Sequence, residues 1–232
     1  MILLSCETST LLGSVSIVKD DQILVEKKSV RQGSHSDHLH ATIELCLDET
    51  KLTLENIDSF CSGIGPGSFT GIRVSLNAIK TYSYFFKKPC LGMDSLSNIA
   101  LQAHEKNPGL GSMLVIINAF KNMVYFSRFE STKNQLIQTL APCVLHVKDL
   151  QLEILQPTLC LGDGFVAYEK YLLENLSEKL IRDTSHSDHP LSSIISKNHK
   201  NLKNSTWQDL LPVYLRASEA EENLQGIKFK PL

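Results

Sequence analysis

The sequence predicts an α/β protein built as a duplicated unit. Three observations point to it. The first thirty residues read as strands with tight turns, the hydrophobic period then changes from two to about 3.6, and strand patterns restart after a cluster of breakers at 108–111. Its 232 residues divided by ~150 residues per domain allow one large domain or two small ones.

The elements follow in order. Residues 2–9 form an apolar run ending in small polar residues. Leu12–Lys19 alternates, Asp20-Asp21 turns the chain, and Gln22–Val30 alternates again through Ile23 and Val25, which makes a β-meander. From Ser36, a candidate N-cap, Leu39, Ile43 and Cys46 fall at i, i+4 and i+7 with Leu47 beside them, predicting an amphipathic helix over Ser36–Thr50. Residues 57–64 read as a strand, 65–71 as a turn, 68–86 as a second helix, 89–93 as a short strand and 95–104 as a third helix. Pro108-Gly109-Leu110-Gly111 marks a domain boundary, giving domains 1–107 and 108–232. Strands are then expected at 112–118, 123–130 and 135–140, followed by alternating helical and strand-like pieces, including Thr158–Leu161 and 165–176. Ser34-His35-Ser36-Asp37-His38 recurs as Ser185-His186-Ser187-Asp188-His189, but the flanks differ and no repeat is read from it.

Composition excludes several classes. Lys+Arg 23 against Asp+Glu 25 gives −2, and the halves carry 9 basic and 12 acidic side chains (1–105) and 14 and 13 (106–232), so no strongly basic half is hidden by averaging. Hydrophobic residues at 42% and charged at 21% belong to a globular protein rather than a disordered one. No apolar run approaches the ~18 residues of a membrane span, and the N-terminus has no basic n-region, so no membrane association and a cytoplasmic location are expected. The six cysteines contain no C-x-x-C pair and are expected as buried, reduced thiols.

The most informative string is Gly65-Pro66-Gly67-Ser68-Phe69-Thr70-Gly71-Ile72-Arg73. Glycines joining a strand to a helix let backbone N–H groups converge on a phosphate or carboxylate, and Arg73 adds a cation. Gly65, Gly67, Ser68, Gly71 and Arg73, with Glu7 at the end of the first strand, are therefore the candidate anion- or nucleotide-binding residues. The plainer alternative is a tight strand–helix connection capped by Ser68. The Lys of a P-loop is absent.

The same string resembles the signature of the TsaB (YeaZ) family of the threonylcarbamoyladenosine tRNA-modification system. Glu7-Thr8-Ser9-Thr10, His35-Ser36, Lys80, Gly162-Asp163-Gly164 and Pro212-Val213-Tyr214-Leu215-Arg216 fall where that family would place them. The resemblance covers nearly the whole chain and implies two actin/hexokinase-like domains (ASKHA superfold, RNase H-like), each a mixed β-sheet flanked by helices. It implies a non-catalytic scaffold or dimerisation subunit of the t6A modification complex. Such a subunit binds and activates a TsaD transferase, with a TsaE-like P-loop ATPase as third partner and tRNA contacted only through the complex. No cofactor is expected to be held tightly, with ATP or ADP taken at the interface with partners. The chain departs from the family where Glu7 replaces an Asp, Ser75 and Thr81 replace Gly, and Asn118-Ala119-Phe120 replaces Asp-Ala-Arg. Asn118 is a weaker metal ligand than Asp, and Phe120 cannot replace a cation, which disfavours independent ATP hydrolysis. The alternative reading is an autonomous ATP-dependent phosphotransferase or ATPase of the same superfold, resting on Glu7 and the glycine turn. A peptidase is a third, disfavoured by the lack of metal ligands and nucleophile.

The second helix bears on partners. Phe69, Ile72, Leu76, Ile79 and Phe86 form one apolar stripe, and Val74, Ala78, Tyr82 and Phe85 a second. The polar face, Arg73, Asn77, Lys80, Tyr84 and Lys87, is narrow. Such a helix needs cover on more than one side, by the second domain or by another chain. The family resemblance implies pairing with TsaD, or a homodimer in isolation, through the first two helices. Leu39, Ile43, Cys46, Leu76, Ile79, Tyr82 and Phe86 are the residues assigned to that interface.

Other chemistry is weaker. His35/His38 and His186/His189 share an i, i+3 spacing but lack a further ligand set, so no metal is expected. No Gly-x-Ser-x-Gly elbow occurs, and Glu7 reads equally as a turn acceptor, so no catalytic residue is assigned. Lys197, Lys200 and Lys203, with Lys228 and Lys230, read as a solvated face in preference to a phosphate-backbone contact, and Trp207 as a packing anchor.

Overall fold

The computed structural model describes residues 1–30, 36–154 and 156–217, with 221 and 224. It contains ten strands, β1 (Ile2–Glu7), β2 (Leu12–Lys19), β3 (Gln22–Val30), β4 (Ser59–Gly63), β5 (Cys90–Met93), β6 (Gly111–Asn118), β7 (Met123–Ser131), β8 (Leu136–His146), β9 (Thr158–Leu161) and β10 (Leu180–Ile181). The α-helices are α1 (Ser36–Thr50), α2 (Phe69–Phe86), α3 (Ser95–Lys106), α4 (Asp163–Ala167), α5 (Glu169–Leu176) and α6 (Ser192–Lys197).

The two sheets share one topology. The first runs β3-β2-β1-β4-β5 and the second β8-β7-β6-β9-β10, each an antiparallel meander followed by two parallel strands. A parallel neighbour requires a crossover connection, which α1 supplies between β3 and β4, and α2 between β4 and β5.

In the first sheet, alternation sends Leu4 and Cys6 of β1 to one face and Ser5 and Glu7 to the other. Leu4, Cys6, Val15, Ile17 and Phe60 join Leu39, Ile43 and Cys46 of α1 and Ile72, Leu76 and Ile79 of α2 in one core. The opposite face is lined by small hydroxyls and receives α6. Ser5 Oγ bonds Ser196 Oγ, and Ser192 N donates to Ser14 Oγ at 2.9 Å. β2 is therefore buried on both sides, and its polar positions Ser14 and Ser16 are interior.

The second sheet packs Leu114, Ile116, Val124 and Phe126 against Phe165 of α4 and Leu172 and Leu176 of α5. β8 runs six residues beyond the expected strand. Its Ala141 and Pro142 stand opposite Ser127, where the β7–β8 register shifts, on an edge strand that tolerates a proline. The segment over 165–176 is helical in two pieces, α4 and α5, separated at Tyr168 with φ −122°.

The chain divides into two compact units. One comprises Met1–Asn98 with Pro190–Val213, the other Ile99–His189 with Tyr214–Leu232. A cut near residue 108 thus omits the return of 190–213 to the first sheet, which rests on the serine contacts of α6 and on Val213 N donating to Ile64 O at 2.8 Å. Among the described residues no helix is long and apolar enough to cross a membrane.

Candidate functional site

The glycine string and the end of β1 form one cluster. Glu7 is fully buried, with Oε1 accepting Ser9 N at 2.7 Å and Oε2 3.5 Å from Ser95 Oγ, which also donates to Ser9 Oγ at 2.8 Å. A Cβ at Gly63 on β4 would stand 1.8 Å from Glu7 Oε2, so only glycine leaves room for the carboxyl. Burial raises the Glu7 carboxyl above its ordinary value, and the hydrogen bonds from Ser9 and Ser95 oppose the rise without cancelling it.

Thr8 Oγ1 donates to Gly71 O at 2.7 Å and Ser68 N to Ser9 O at 2.7 Å. Side chains at Gly67 and Gly71 would collide with the Ser9 and Thr8 carbonyls at 2.3 and 2.0 Å. Gly65, at φ +90°, starts the turn, and its carbonyl accepts Ser95 N at 2.8 Å. The structure thus brings Glu7, Gly65, Gly67, Ser68 and Gly71 together. The N–H groups of Ser68, Gly71 and Ile72 are already taken by Ser9 O, Ser68 Oγ and Ser68 O. The turn is a strand–helix connection tied to residues 8–9, with Ser68 as N-cap. Arg73 is exposed, with its guanidinium 3.8 Å above the Phe69 ring.

Of the seven residues assigned to a partner interface, five lie in the core of this unit. Leu39, Ile43, Cys46, Leu76 and Ile79 are at most 4% exposed and belong to the sheet-facing core. Tyr82 and Phe86 are half-buried against Phe60, at ring distances of 5.6 and 6.1 Å, and Tyr82 Oη lies 3.1 Å from His40 Nδ1. The sheet takes the stripe that continues the i, i+4, i+7 pattern. Of the apolar side chains in the second lines of α1 and α2, Ala41, Leu45 and Phe85 stay outside, the last two 59% and 74% exposed.

A second cluster lies in the other unit. Asn118 closes β6, with N donating to Asp163 Oδ1 at 3.0 Å and Oδ1 accepting Phe120 N at 2.8 Å. Burial pushes the Asp163 carboxyl up to about 6, Asp188 adds to the rise, and the Asn118 N–H opposes it. Phe120, Lys121 and Asn122 all have left-handed φ (57°, 53°, 61°), and Arg216 donates to the carbonyls of Ala119 and Phe120. Asp188 accepts Gly162 N at 3.0 Å and pairs with Arg182. Sequence reading picked out Asn118, Gly162, Asp163 and Arg216 only through the family resemblance. The Asp188–Arg182 pair had no local signal.

Among the described residues no group of three or more His, Cys, Asp or Glu is arranged to hold a metal ion. His35, Lys228 and Lys230 lie outside the described residues; His38 is exposed and His186 buried. All six cysteines are unbridged, and burial pushes Cys61 and Cys160 up to about 12, so both stay protonated thiols.

Residues 29–224 match the model of the family described as TsaD, tRNA N6-adenosine threonylcarbamoyltransferase. A Bacillus subtilis (strain 168) protein named tRNA threonylcarbamoyladenosine biosynthesis protein TsaB is 23% identical over 225 residues, covering 95% of this chain and 96% of its own. The TsaB protein of Buchnera aphidicola from Acyrthosiphon pisum is 27% identical over 58% of this chain and 60% of its own. A Pseudomonas aeruginosa structure described as similar to the peptidase YeaZ has the same fold, with a TM-score of 0.77 at 22% identity over 93% of this chain and 99% of that one. With the family model spanning most of its length, this chain belongs to the TsaD family, among its TsaB (YeaZ) members.

Proposed function

We propose that this protein takes part in threonylcarbamoyladenosine biosynthesis on tRNA as a non-catalytic subunit that binds and activates a TsaD-like transferase. The observation that carries the reading is the match to a TsaB protein over 95% of the chain. Two features of the molecule support it. Three N–H groups of the glycine turn, those of Ser68, Gly71 and Ile72, are held by internal hydrogen bonds and Glu7 is buried, which disfavours the alternative of an autonomous ATPase or phosphotransferase. The helices α1 and α2 also keep Leu45 and Phe85 in solvent, apolar anchors that a partner helix pair would cover. A TsaE-like ATPase is the third member of the assembly in this reading, a homodimer through the same face is the state of the isolated chain, and ATP or ADP is taken at the interface with partners.

The test is co-expression with the TsaD-like protein of the same organism. Leu45→Glu with Phe85→Glu should abolish co-elution in size-exclusion chromatography with light scattering, while the melting temperature of the isolated chain stays within a few degrees, since both side chains are exposed. Retained co-elution would remove this face from the interface. Titration of Mg-ATP into the isolated chain, with micromolar binding and turnover, would favour the ATPase instead.

A further inference from the structure

One face of α2 has no role in the reading above. Arg73, Asn77, Lys80, Tyr84 and Lys87 recur at steps of four and three, so they lie along one line of the helix, about 21 Å from first to last at 1.5 Å per residue. The helix contains no Asp or Glu. Arg73 is exposed and stacked on Phe69, and Lys87 is exposed at the helix C-cap. Lys80 donates to Leu210 O at 3.1 Å, which ties the 205–213 segment alongside. From that segment Trp207, 38% exposed, braces Tyr84 edge-on at 5.3 Å, leaving Tyr84 64% exposed between the flanking cations. Asp209, the acidic neighbour on the same segment, is held by Thr206 Oγ1 at 2.6 Å. The near-neutral total charge hides this face because α1 is its opposite, with Glu44, Asp48 and Glu49 and no Lys or Arg.

We propose that this face of α2 is an RNA contact, in which Arg73, Lys80 and Lys87 meet backbone phosphates and Tyr84, braced by Trp207, gives an unpaired base a surface to stack on. An acidic protein would be served by the cations alone. An exposed aromatic set between cations along a line several nucleotides long suits a single-stranded stretch of nucleic acid. The inference deepens the proposed function by giving this subunit its own hold on tRNA, and it rests on that reading only for the choice of RNA over DNA. Among the lysines at 197, 200 and 203, Lys200 is paired with Asp21 at 2.6 Å.

The test is fluorescence anisotropy of the full chain with a labelled, unmodified tRNA transcript across about 50 to 200 mM salt. Wild type should bind with a salt slope near −2 to −3, and Arg73→Gln with Lys87→Gln should weaken binding roughly tenfold or more at low salt and reduce the slope by about two. Tyr84→Ala should weaken binding to single-stranded RNA about five- to hundredfold and leave duplex RNA nearly unchanged. Variants that bind tRNA as wild type does, or a wild-type chain with no salt-dependent binding, overturn the proposal. So does equal affinity for polyglutamate with Tyr84→Ala neutral, which would assign the face to an acidic protein. Unchanged melting temperatures exclude misfolding, and co-elution with the TsaD-like protein is measured in parallel. Loss of RNA affinity with co-elution kept separates this face from the partner face, whereas RNA binding without any co-elution would sink the proposed function and leave the RNA contact standing.

Discussion

At the scale of single residues, the glycines of the 65–73 string answer to close approach. A methyl group at residue 71 would sit 2.0 Å from the Thr8 carbonyl, a backbone atom fixed by the start of the chain's first turn. Gly71→Ala must therefore push α2 away from residues 8–9 and strain the Thr8–Gly71 and Ser68–Ser9 bonds. The expected cost is about 2–3 kcal/mol, read as a fall of several degrees in the melting temperature. His186 sets a pH dependence. It is 6% exposed, neither ring nitrogen makes a hydrogen bond, and Nε2 stands 3.4 Å from Asp183 Oδ2. Burial lowers its pKa, with Lys106 and Arg182 adding to the fall and Asp183 opposing it. The neutral ring is thus the form the fold favours, so stability is lost as pH drops through the ordinary histidine value of about 6.5 and on toward the lower folded value. Thermal melts from about pH 7.5 to 5.5 should show that loss in the wild type and a flatter profile in His186→Leu. An unchanged profile would show that the ring is charged or solvated in the fold.

At the scale of elements, the outcome turns on which face of each helix and strand is covered. Periodicity located α1 to the residue and α2 to within one, because apolar positions at i, i+4 and i+7 are a local property of the chain. It could not say which of α2's two apolar stripes meets the sheet, since Leu76 and Tyr82 look alike until Leu4, Ile17 and Phe60 are set beneath them. The segment 192–197 gave no signal for its place on the sheet because its contacts are hydroxyls, and serines in a sequence read as loop or surface. The hold on α6 is polar. Ser14 Oγ accepts Ser192 N, and Glu26 Oε1 accepts Ser193 N at 3.1 Å, so two of the helix's unpaired N-terminal donors are satisfied from the meander. Glu26→Ala should cost about 1 kcal/mol and appear first as faster hydrogen exchange at 193–196, with the amides of β1 and β4 slowed as before. Unchanged exchange there would show that Ile194 and Ile195 alone hold the helix.

At the scale of the whole molecule, the repeated strand order explains why the duplication was readable while the division of the chain was not. Both sheets open with a meander, and a meander is local enough to show in sequence as three successive strand-like runs. The return of 190–213 to the first unit is a pairing over some hundred residues, carried by single contacts such as Cys90 N to Ser205 O at 3.0 Å, and no local pattern announces it. The consequence is testable by dissection. A chain ending at residue 107 keeps all five strands of the first sheet but leaves Ser5, Ser14 and Glu26 without α6 and the edge of β5 without Ser205. It should be aggregation-prone and melt without cooperativity. Asn98 and Leu191 are joined by two hydrogen bonds, Nδ2 to Leu191 O and Leu191 N to Oδ1, both 2.9 Å, so residue 98 can be linked to residue 190 by a short Gly/Ser bridge. Residues 1–98 joined in this way to 190–213 should be soluble and unfold in one cooperative transition by circular dichroism. If the chain ending at 107 proved the better folded of the two, the returning segment would be a passenger on the first sheet and not part of its core.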